Sequence, residues 1–305
     1  MKNKKMTVTV GIPAYNEEGN IISLISCLLK QKQTSFKLKK IIIADDCSTD
    51  KTVAILRKIR NPLVKVISNK NRKGKPYRTD QIISYTKSDI LVILDADTFI
   101  KDKNFLNKLI RPIILKKADL TSASIKELKP VTLMQKILAA SMEFKKNIFE
   151  EYKNGNNIYT CHGRARAFSK KLYNSIQFEN VIVDDAFSYL YCKSNKFNYY
   201  FARNSRIYYK LPLNFSEHQR QSARYFFSKE DMKKKFTKKF IDDEYYLPIS
   251  LILKSFIKTC FKDLFIVVYL PIALASKFKS LFCRRAKAAW HTASSTKKLL
   301  WINQN

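Results

Sequence analysis

Four acidic residues stand directly after apolar, strand-like runs of the sequence. Asp45 and Asp46 close one such run, and Asp95 and Asp97 close another. Two carboxylates two positions apart on an extended segment point the same way, and they repel each other unless a cation lies between them. Hard divalent cations prefer oxygen ligands and keep positions open for substrate phosphates. The second pair therefore predicts a metal site, with solvated turn acids as the alternative.

A basic loop lies between the two acidic pairs. Residues 71–75 read Asn-Arg-Lys-Gly-Lys, which places three cations and one of the chain's five glycines just ahead of a predicted helix. Backbone N–H groups at a helix N-terminus favour an anion. Together with the metal pair, the loop indicates a diphosphate site.

These residues need a scaffold that brings several strand ends together. Apolar patterning predicts strands at 6–12, 40–44, 63–68 and 90–94, and helices at 17–29, 51–59 and 75–86. Such alternation predicts a parallel sheet covered on both faces, whose ligands bind at the carboxyl ends of the strands. Further strands are predicted at 119–124, 198–202 and 206–211, and further helices at 131–152 and from 215.

The composition limits the classes of protein. The 305 residues include 58 Lys or Arg against 25 Asp or Glu, giving a formal net charge of +33, and 46% are hydrophobic. The chain can therefore bury a core, which excludes a disordered basic protein. The charge favours an anionic partner, although solvated surface lysines are a plain alternative. The charge is the sole support for a nucleic-acid-binding protein. Two observations speak against that class: no reader motif is present, and acidic residues cluster where a phosphate backbone would be repelled.

The cysteines and the N-terminus bear on the compartment. The six cysteines form no Cys-x-x-Cys pair and show no disulfide-scaffold spacing, which predicts a reducing, cytosolic environment. The first residues are charged and lack the apolar stretch of a secretory signal. We therefore expect the protein on the cytosolic side.

The last 59 residues form a basic tail. They hold ten Lys or Arg and one acid, and their uncharged run from 264 to 276 is shorter than the ~20 residues that a spanning helix needs. Before that run, Lys254, Lys258 and Lys262 recur every four residues among apolar ones. This spacing predicts an amphipathic helix in an anionic membrane interface. A helix packed on the catalytic domain is the alternative.

Several short motifs follow one another in a fixed order. They occupy 10–18, 44–50, 74–75, 95–97, 161–163, 183–185 and 221–225. Together they resemble the signatures of family 2 glycosyltransferases of the GT-A fold, over about residues 6 to 230. The resemblance implies a Rossmann-like, mostly parallel α/β sheet flanked by helices as a catalytic domain (1–240). Residues 241–305, which include the basic tail, would be an amphipathic helical region that associates with a membrane.

The resemblance also implies a role for each matched residue. The residues that would bind the nucleotide sugar are Pro13, Tyr15, Glu17, Asp45, Asp46, Lys75, Asp95, Gln221, Arg224 and Tyr225. Tyr15 would lie against the base and Glu17 near the ribose. Asp45 or Asp46 would accept from the base N–H.

At the other end of the donor, Lys75 would approach the diphosphate. Asp97, with Asp95 beside it, would hold Mn²⁺ or Mg²⁺. Asp185 would be the general base that takes the proton from the acceptor hydroxyl as it attacks the anomeric carbon opposite the diphosphate. The alternative for Asp184 and Asp185 is capping of the helix that follows them.

The sequence departs from the family pattern in three places. Tyr225 stands where the Q-x-x-R-W signature has Trp, and Cys47 stands where relatives usually have Gly, which predicts no positive φ there. The segment 163–169 lacks a terminal arginine, for which Arg164 or Arg166 could substitute.

The leading hypothesis is an inverting, metal-dependent hexosyl or N-acetylhexosaminyl transferase with a nucleotide-diphosphate sugar as donor, UDP-linked donors being favoured. Its acceptor would be a lipid, a lipid-linked glycan or a polysaccharide at the cytoplasmic face of the cell membrane, where the protein would be peripheral or monotopic. The rival hypotheses are a nucleic-acid-binding protein and a catalytically inactive glycan-binding relative.

Overall fold

The computed structural model describes residues 5–282 and 294–297, and its description of side chains leaves out 223–228, 279–282 and 294. The described strands are β1 (Met6–Ala14), β2 (Phe36–Asp45), β3 (Val64–Ile67), β4 (Ile90–Leu94), β5 (Thr98–Phe99), β6 (Leu120–Glu127), β7 (Ala165–Ser169) and β8 (Tyr199–Tyr209). The described α-helices are α1 (Ile21–Leu29), α2 (Thr52–Arg57), α3 (Lys75–Ser84), α4 (Phe105–Ile114), α5 (Leu133–Glu151), α6 (Lys170–Tyr173), α7 (Asp184–Ser194), α8 (Phe215–Met232), α9 (Lys238–Glu244), α10 (Ile249–Lys262) and α11 (Phe265–Phe282).

The strands form one mixed sheet in the order β3-β2-β1-β4-β7-β6-β8-β5. The first four strands of the chain pair in parallel, as predicted. Strand β7 is antiparallel to both of its neighbours, and β5 is antiparallel to β8. Because six of the eight strands run the same way, their carboxyl ends meet at one edge of the sheet.

Both faces of the sheet are buried. In β4, Leu91 and Ile93 belong to one hydrophobic cluster, while the alternating residues Ile90, Val92 and Leu94 belong to another on the opposite face. Such a continuously apolar strand is typical of a parallel sheet with helices on both sides. The expected α/β architecture is therefore present.

Some elements differ from the sequence-based expectation. The two strands predicted at 198–202 and 206–211 are one strand, β8, which bulges at 203–205 opposite the Ala123/Ser124 step of β6. Strands β5 and β7 and helices α4 and α6 were not predicted. The bulge explains the interrupted pattern in β8, because inserted residues shift the alternation of the side chains.

The two helices of the tail pack on the rest of the chain. Helices α10 and α11 contact α5, and α11 also contacts α8. The Phe144 and Phe256 rings meet edge to face with centroids 6.0 Å apart. None of the described helices is both long enough and apolar enough to cross a membrane. The domain boundary at residue 240, which falls inside α9, stays a prediction.

Candidate active site

A cavity of about 210 Å³ opens at the carboxyl ends of β1 and β4. It brings together residues that are far apart in the sequence. Of the predicted site residues, it is lined by Pro13, Tyr15, Glu17, Asp46, Lys75, Asp95, Asp97, Asp185 and Gln221. The fold therefore gathers most of the predicted set at one place, as the strand-end argument requires.

Lys75 lies at the centre of this cavity. Its ammonium is 2.6 Å from Asp95 Oδ1 and 3.1 Å from Asp184 Oδ2, and it donates to the Gly163 carbonyl at 3.1 Å. Lys75 is the first residue of α3, directly after Gly74, whose φ of +91° turns the chain into the helix. One lysine thus joins the end of β4, the start of α7 and the 163 turn.

The charges in this group depend on one another. Burial opposes the charge of Lys75, but the carboxylates of Asp184 and Asp95 outweigh it and raise the pKa of Lys75. Burial raises the pKa of Asp95, as do the nearby charges of Asp97 and Asp184, while Lys75 acts against this. Asp95 is therefore a carboxylate that a further cation would stabilise.

Asp184 is held by a buried arginine. The Arg166 guanidinium is fully buried in β7 and donates to the Asp184 carboxylate, to its backbone carbonyl at 2.7 Å and to Ser188 Oγ. Burial would raise the pKa of Asp184, but Arg166 and Lys75 lower it to about 2. The residue at the N-cap of α7 is Val183, which makes no side-chain capping hydrogen bond. The role of Asp184 is to pair with Arg166 and Lys75.

Asp185 faces the cavity from the first turn of α7. Its Oδ2 accepts from the Gly163 N–H at 3.1 Å, and its Oδ1 accepts from the Ala186 N–H at 2.8 Å. A Cβ on Gly163 would lie 3.0 Å from Lys75 Nζ and 3.2 Å from Asp185 Oδ2. The absence of a side chain at Gly163 therefore leaves room for both groups to contact its backbone.

Asp46 accepts hydrogen bonds from the basic loop and from Arg78. It accepts from the N–H groups of Lys73 and Gly74, both at 2.9 Å, and from Arg78 Nε at 2.7 Å. Arg78 is only 2% exposed and also donates to the Asn71 carbonyl. The anion that the Lys73 and Gly74 N–H groups hold in this structure is Asp46, and the diphosphate site at this loop stays a prediction.

Asp45 differs from its neighbour. It is buried at the end of β2, where its Oδ2 accepts from the Ser48 N–H at 3.2 Å. Its Oδ1 is buried and has no hydrogen-bond partner among the described residues. A buried oxygen without a partner is costly unless a ligand supplies the donor. Asp45 therefore has an oxygen without a partner, whereas both oxygens of Asp46 accept hydrogen bonds; Asp46 lines the cavity and Asp45 does not.

Tyr15 and Glu17 are both engaged by cations. The Arg72 guanidinium stacks on the Tyr15 ring at 3.7 Å from its centroid. Glu17 is buried and pairs with Lys297, while its Oε2 accepts from Asn20 Nδ2 at 2.7 Å. Burial and the charge of Asp97 raise the pKa of Glu17 to about 8 despite Lys297.

The predicted metal ligands, Asp95 and Asp97, line the same cavity. Within residues 5–282 and 294–297, no group of three or more His, Cys, Asp or Glu side chains is arranged to hold a metal ion. Two carboxylates fit a hard cation whose remaining positions are taken by water and substrate phosphates. The donor set therefore fits a metal that binds together with a diphosphate.

The backbone at Cys47 contradicts the expectation drawn from the missing glycine. Cys47 has a φ of +65° and its Sγ donates to the Lys70 carbonyl at 3.2 Å. The turn after β2 thus keeps the left-handed conformation with a non-glycine residue in it, and the thiol makes the hydrogen bond that ties the turn to the next loop.

The remaining predicted residues are on α8 or near β7. Gln221 reaches the cavity, while the side chains of Arg224 and Tyr225 lie outside the described ones. Burial and Arg164 lower the pKa of His162 to about 3, so this ring stays neutral at physiological pH. Arg164 lines the cavity and stacks on Tyr209 at 3.7 Å.

Comparison with known proteins identifies the family. The sequence profile described as "Glycosyl transferase family 2" matches residues 9–177, which is more than half of the chain. The chain belongs to glycosyl transferase family 2. Each of the motifs that suggested this family contributes at least one residue to the lining of the cavity.

Two curated members of this family are similar to the chain over part of its length. Poly(ribitol-phosphate) beta-N-acetylglucosaminyltransferase TarS of Staphylococcus aureus is 32% identical over 99 residues, 31% of this chain and 17% of TarS. The 4,4'-diaponeurosporenoate glycosyltransferase of Staphylococcus haemolyticus is 33% identical over 108 residues, 34% of this chain and 28% of that enzyme. The matches span less than a third of either relative.

Solved structures confirm the expected GT-A fold for this family 2 member. A mannosyltransferase of Pyrobaculum calidifontis in complex with GDP-Man and Mn²⁺ aligns with a TM-score of 0.60 and 15% identity, over 94% of this chain and 78% of that one. TarS 1-349 in complex with UDP-GlcNAc aligns with a TM-score of 0.55 and 20% identity, over 84% and 73%. At these identities the likeness concerns the fold.

Sequence reasoning missed two residues of this family 2 site and named two others in different roles. Arg78, the buried partner of Asp46, and Lys297, the partner of Glu17, were missed. Arg166 was named only as a substitute for a missing arginine and Arg72 only as a cation of the basic loop, whereas they pair with Asp184 and cover the Tyr15 ring. The only signal for Arg78 was a lone arginine in a helix, and such arginines are usually solvated.

Proposed function

We propose that this protein transfers a hexosyl or N-acetylhexosaminyl group from a nucleotide-diphosphate sugar to an acceptor hydroxyl, with inversion at the anomeric carbon. The observation that carries this proposal is the meeting of Lys75, Asp95 and Asp185 around Gly163 in one cavity. A cation for the leaving diphosphate and a carboxylate for the acceptor proton then lie on two sides of the same space.

The nucleoside end of the donor is supported by Asp45. Its unpartnered Oδ1 is the acceptor that a uracil or guanine N–H needs. Asp46 is the weaker candidate, because its oxygens already accept three hydrogen bonds from the basic loop and Arg78. The solved neighbours were captured with UDP-GlcNAc and with GDP-Man, and this supports a nucleotide sugar without choosing the base.

The diphosphate end is supported by the charges around Asp95. A divalent cation, Mn²⁺ or Mg²⁺, bound by Asp95 and Asp97 would supply positive charge to the diphosphate oxygens. Lys75 adds a second positive charge at the same place. Because Lys75 is only a quarter exposed, its attraction for an anion is screened less than that of a surface lysine.

Asp185 is the proposed general base. The acceptor oxygen forms a bond to the anomeric carbon, the bond from that carbon to the diphosphate breaks, and the hydroxyl proton passes to Asp185. The Gly163 and Ala186 N–H groups fix the orientation of this carboxylate. The two N–H groups leave each oxygen with a further lone pair, so Asp185 can still accept the proton.

For the acceptor we propose a lipid, a lipid-linked glycan or a polysaccharide. According to their names, the relatives named above act on poly(ribitol-phosphate) and on 4,4'-diaponeurosporenoate. A membrane-bound acceptor also fits the surface of the tail helices, which is described next.

We propose that α10 and α11 attach the protein to the cytoplasmic face of a membrane. Helix α10 packs on α5 through the buried Ser255 and Thr259 and through the Phe256 ring. Its outer side exposes a stripe of apolar residues spaced four apart, the α10 stripe, formed by Ile249, Leu253, Ile257 and Phe261. Phe261 is 88% exposed. This exposed stripe supports an apolar environment on the outer side.

Two lysines of α10 that were expected at a membrane interface pair with acidic residues of α5 instead. Lys254 pairs with Glu151 at 2.7 Å, and Lys262 pairs with Glu143 at 3.5 Å, both acids being on α5. Two lysines of the predicted stripe therefore also attach α10 to the catalytic domain. The proposed membrane contact rests on the apolar stripe more than on these charges.

Vesicle sedimentation tests the membrane proposal. Replacing Ile257 and Phe261 by Ser should reduce binding to vesicles of mixed anionic and neutral phospholipid at least fivefold. Leu115→Ser, at an equally exposed residue after α4, should not. Removal of the chain from Leu247 onward should also release the protein. Undiminished binding by the double variant would contradict the proposal.

A donor screen tests the proposed activity. Purified protein with Mn²⁺ is incubated with UDP-linked and GDP-linked sugars, and the release of UDP or GDP is measured with and without lipid extract. We expect release from one nucleotide class, and its loss on chelation of the metal. No release from any donor, together with salt-sensitive binding to random duplex DNA, would favour the nucleic-acid alternative instead.

A further inference from the structure

The segment Ser294–Lys297 lies against the loop that follows β1, although about 280 residues separate the two in the chain. The Lys297 ammonium donates to the Tyr15 carbonyl at 2.8 Å and to the Glu17 carboxylate. Its side chain is 15% exposed and that of Glu17 is 4% exposed. Thr296 and Lys297 both line the active-site cavity. The segment is thus part of the cavity wall.

A second set of contacts attaches the same segment to α8. The Ser295 N–H donates to Glu217 Oε1 at 3.0 Å, and its hydroxyl donates to Glu217 Oε2. Leu213 N–H donates to Ser295 Oγ at 3.3 Å, and Asn20 Nδ2 donates to the Thr296 carbonyl at 3.3 Å. Glu217 is buried in the first turn of α8. The segment is therefore held from two sides by buried groups.

Glu17 in this arrangement is a partner for the segment. Its Oε1 is taken by Lys297 and its Oε2 by Asn20. A buried acceptor that loses its donor is costly. Without Lys297, Glu17 Oε1 and the Tyr15 carbonyl would both lose the donor that they share, and the loop that carries Tyr15 would no longer be held in place.

Both acceptors of the Lys297 ammonium belong to the loop at the nucleoside end of the cavity. Lys75, Asp95 and Asp185, where the diphosphate and the acceptor are expected, line the same cavity through contacts of their own. The segment therefore contributes to the cavity wall through the loop that carries Tyr15 and Glu17.

We propose that the segment Ser294–Lys297 is the outer wall of the nucleoside end of the donor pocket, and that Lys297 is a positioning residue which holds Glu17 and Tyr15 in the shape that binds a nucleoside diphosphate. This inference rests on the proposed nucleotide-sugar donor. It assigns a specificity-determining role to a residue that lies outside the matched family span of 9–177.

The test is UDP and GDP binding by calorimetry in the presence of Mn²⁺. Lys297→Met keeps the length of the side chain and removes its charge, and it should weaken binding of the preferred nucleotide about tenfold. Lys297→Arg should restore most of the affinity, because it keeps the charge. Lys58→Met, at an exposed lysine after α2, should bind like the wild type. Melting temperatures show whether each variant is folded.

The kinetic split separates positioning from general damage. With the donor found by the screen, Lys297→Met should raise the donor KM and leave kcat at saturating donor within about threefold. Unchanged or tighter nucleotide binding by Lys297→Met would overturn the inference, and tighter binding would instead show that the segment obstructs the pocket. A fall in kcat alone would also overturn it.

Amine labelling tests the contact without any donor. Lys297 should react with an acylating reagent much more slowly than Lys58, and Glu17→Gln should speed its reaction. Equal reactivity of Lys297 and Lys58 in the wild type would refute the contact. If the wild type binds neither UDP nor GDP, the proposed function fails and the donor-site role of Lys297 fails with it. If the wild type binds UDP or GDP and the Lys297 variants bind it equally well, the inference about Lys297 fails while the proposed function stands.

Discussion

The Lys75 ammonium lies 2.6 Å from the Asp95 carboxylate at the centre of the active-site cavity. This pair joins the start of α3 to the end of β4. The same ammonium is 3.1 Å from Asp184, so in the absence of a donor it is shared between two carboxylates. In the proposed reaction, the diphosphate would give Lys75 a more strongly charged partner. A divalent cation would then replace Lys75 as the positive charge beside Asp95.

Replacing Lys75 by Met tests this exchange. The variant loses the charge that attracts the diphosphate and leaves Asp95 and Asp184 with less compensation, so kcat/KM should fall at least about a hundredfold, by analogy with removal of one stabilising donor at an oxyanion. Steady-state release of the nucleoside diphosphate measures this. Lys73→Met, at an exposed lysine of the same loop, should retain most of the activity. Equal losses in both variants would argue against a specific role for Lys75.

Asp45 and Asp46 should separate in their effects. Asp46→Asn leaves the buried Arg78 without its anion and should lower the free energy of unfolding by about 3 kcal/mol. Asp45→Asn should change the free energy of unfolding by less than about 1 kcal/mol. It should weaken nucleotide binding about tenfold, because asparagine has a single oxygen for both the Ser48 N–H and the base N–H. Urea unfolding and calorimetry measure the two quantities. If Asp45→Asn lowered stability and Asp46→Asn weakened nucleotide binding, the two assignments would have to be exchanged.

Gly163→Ala should reduce turnover in a folded protein. The new methyl group would lie 3.0 Å from Lys75 Nζ and 3.2 Å from Asp185 Oδ2, so one of these groups must move. We expect kcat to fall about tenfold or more, because small misplacements of reacting groups are costly. Gly19→Ala, at an exposed position, is the matched control. Full activity of Gly163→Ala would show that these groups need not be close.

Stability should depend on pH through His162. Burial lowers its pKa from 6.5 to about 3, so in the range between these values the unfolded chain binds a proton that the folded protein does not. Stability is therefore complete above pH 6.5 and falls as the pH falls, by about 2 kcal/mol at pH 5. His162→Asn should remove about this much of the loss between pH 7 and pH 5 in urea unfolding. An unchanged pH slope would contradict the assignment.

The sequence allowed the part of the site that depends on local patterns to be predicted. The apolar runs that end at Asp45 and Asp95 identify strand ends, and parallel strands must bring such ends to one edge. Lys75 and Asp185 follow from short motifs at the starts of helices. Lys75, Asp95 and Asp185 do meet in one cavity, while Asp45 is buried and is not part of its lining, and the GT-A fold that the motifs suggested is present.

The rest depends on contacts between distant parts of the chain. Arg166 points from β7 to Asp184, 18 residues further on, and no local pattern shows that this arginine is buried. Asp46 is occupied because the 71–75 loop folds back on it. Lys297 reaches Glu17 across 280 positions. Charged pairs of this kind become visible only when the strands and loops are in place.

The most direct test of the proposed function is the Asp185→Asn variant. The amide keeps the shape of the side chain and loses the ability to accept a proton. We predict that the variant binds the nucleoside diphosphate within about threefold of the wild-type Kd, while sugar transfer falls about a thousandfold, within the usual range for removal of a general base. Transfer at a rate close to that of the wild type would contradict the assignment of Asp185 and the mechanism built on it.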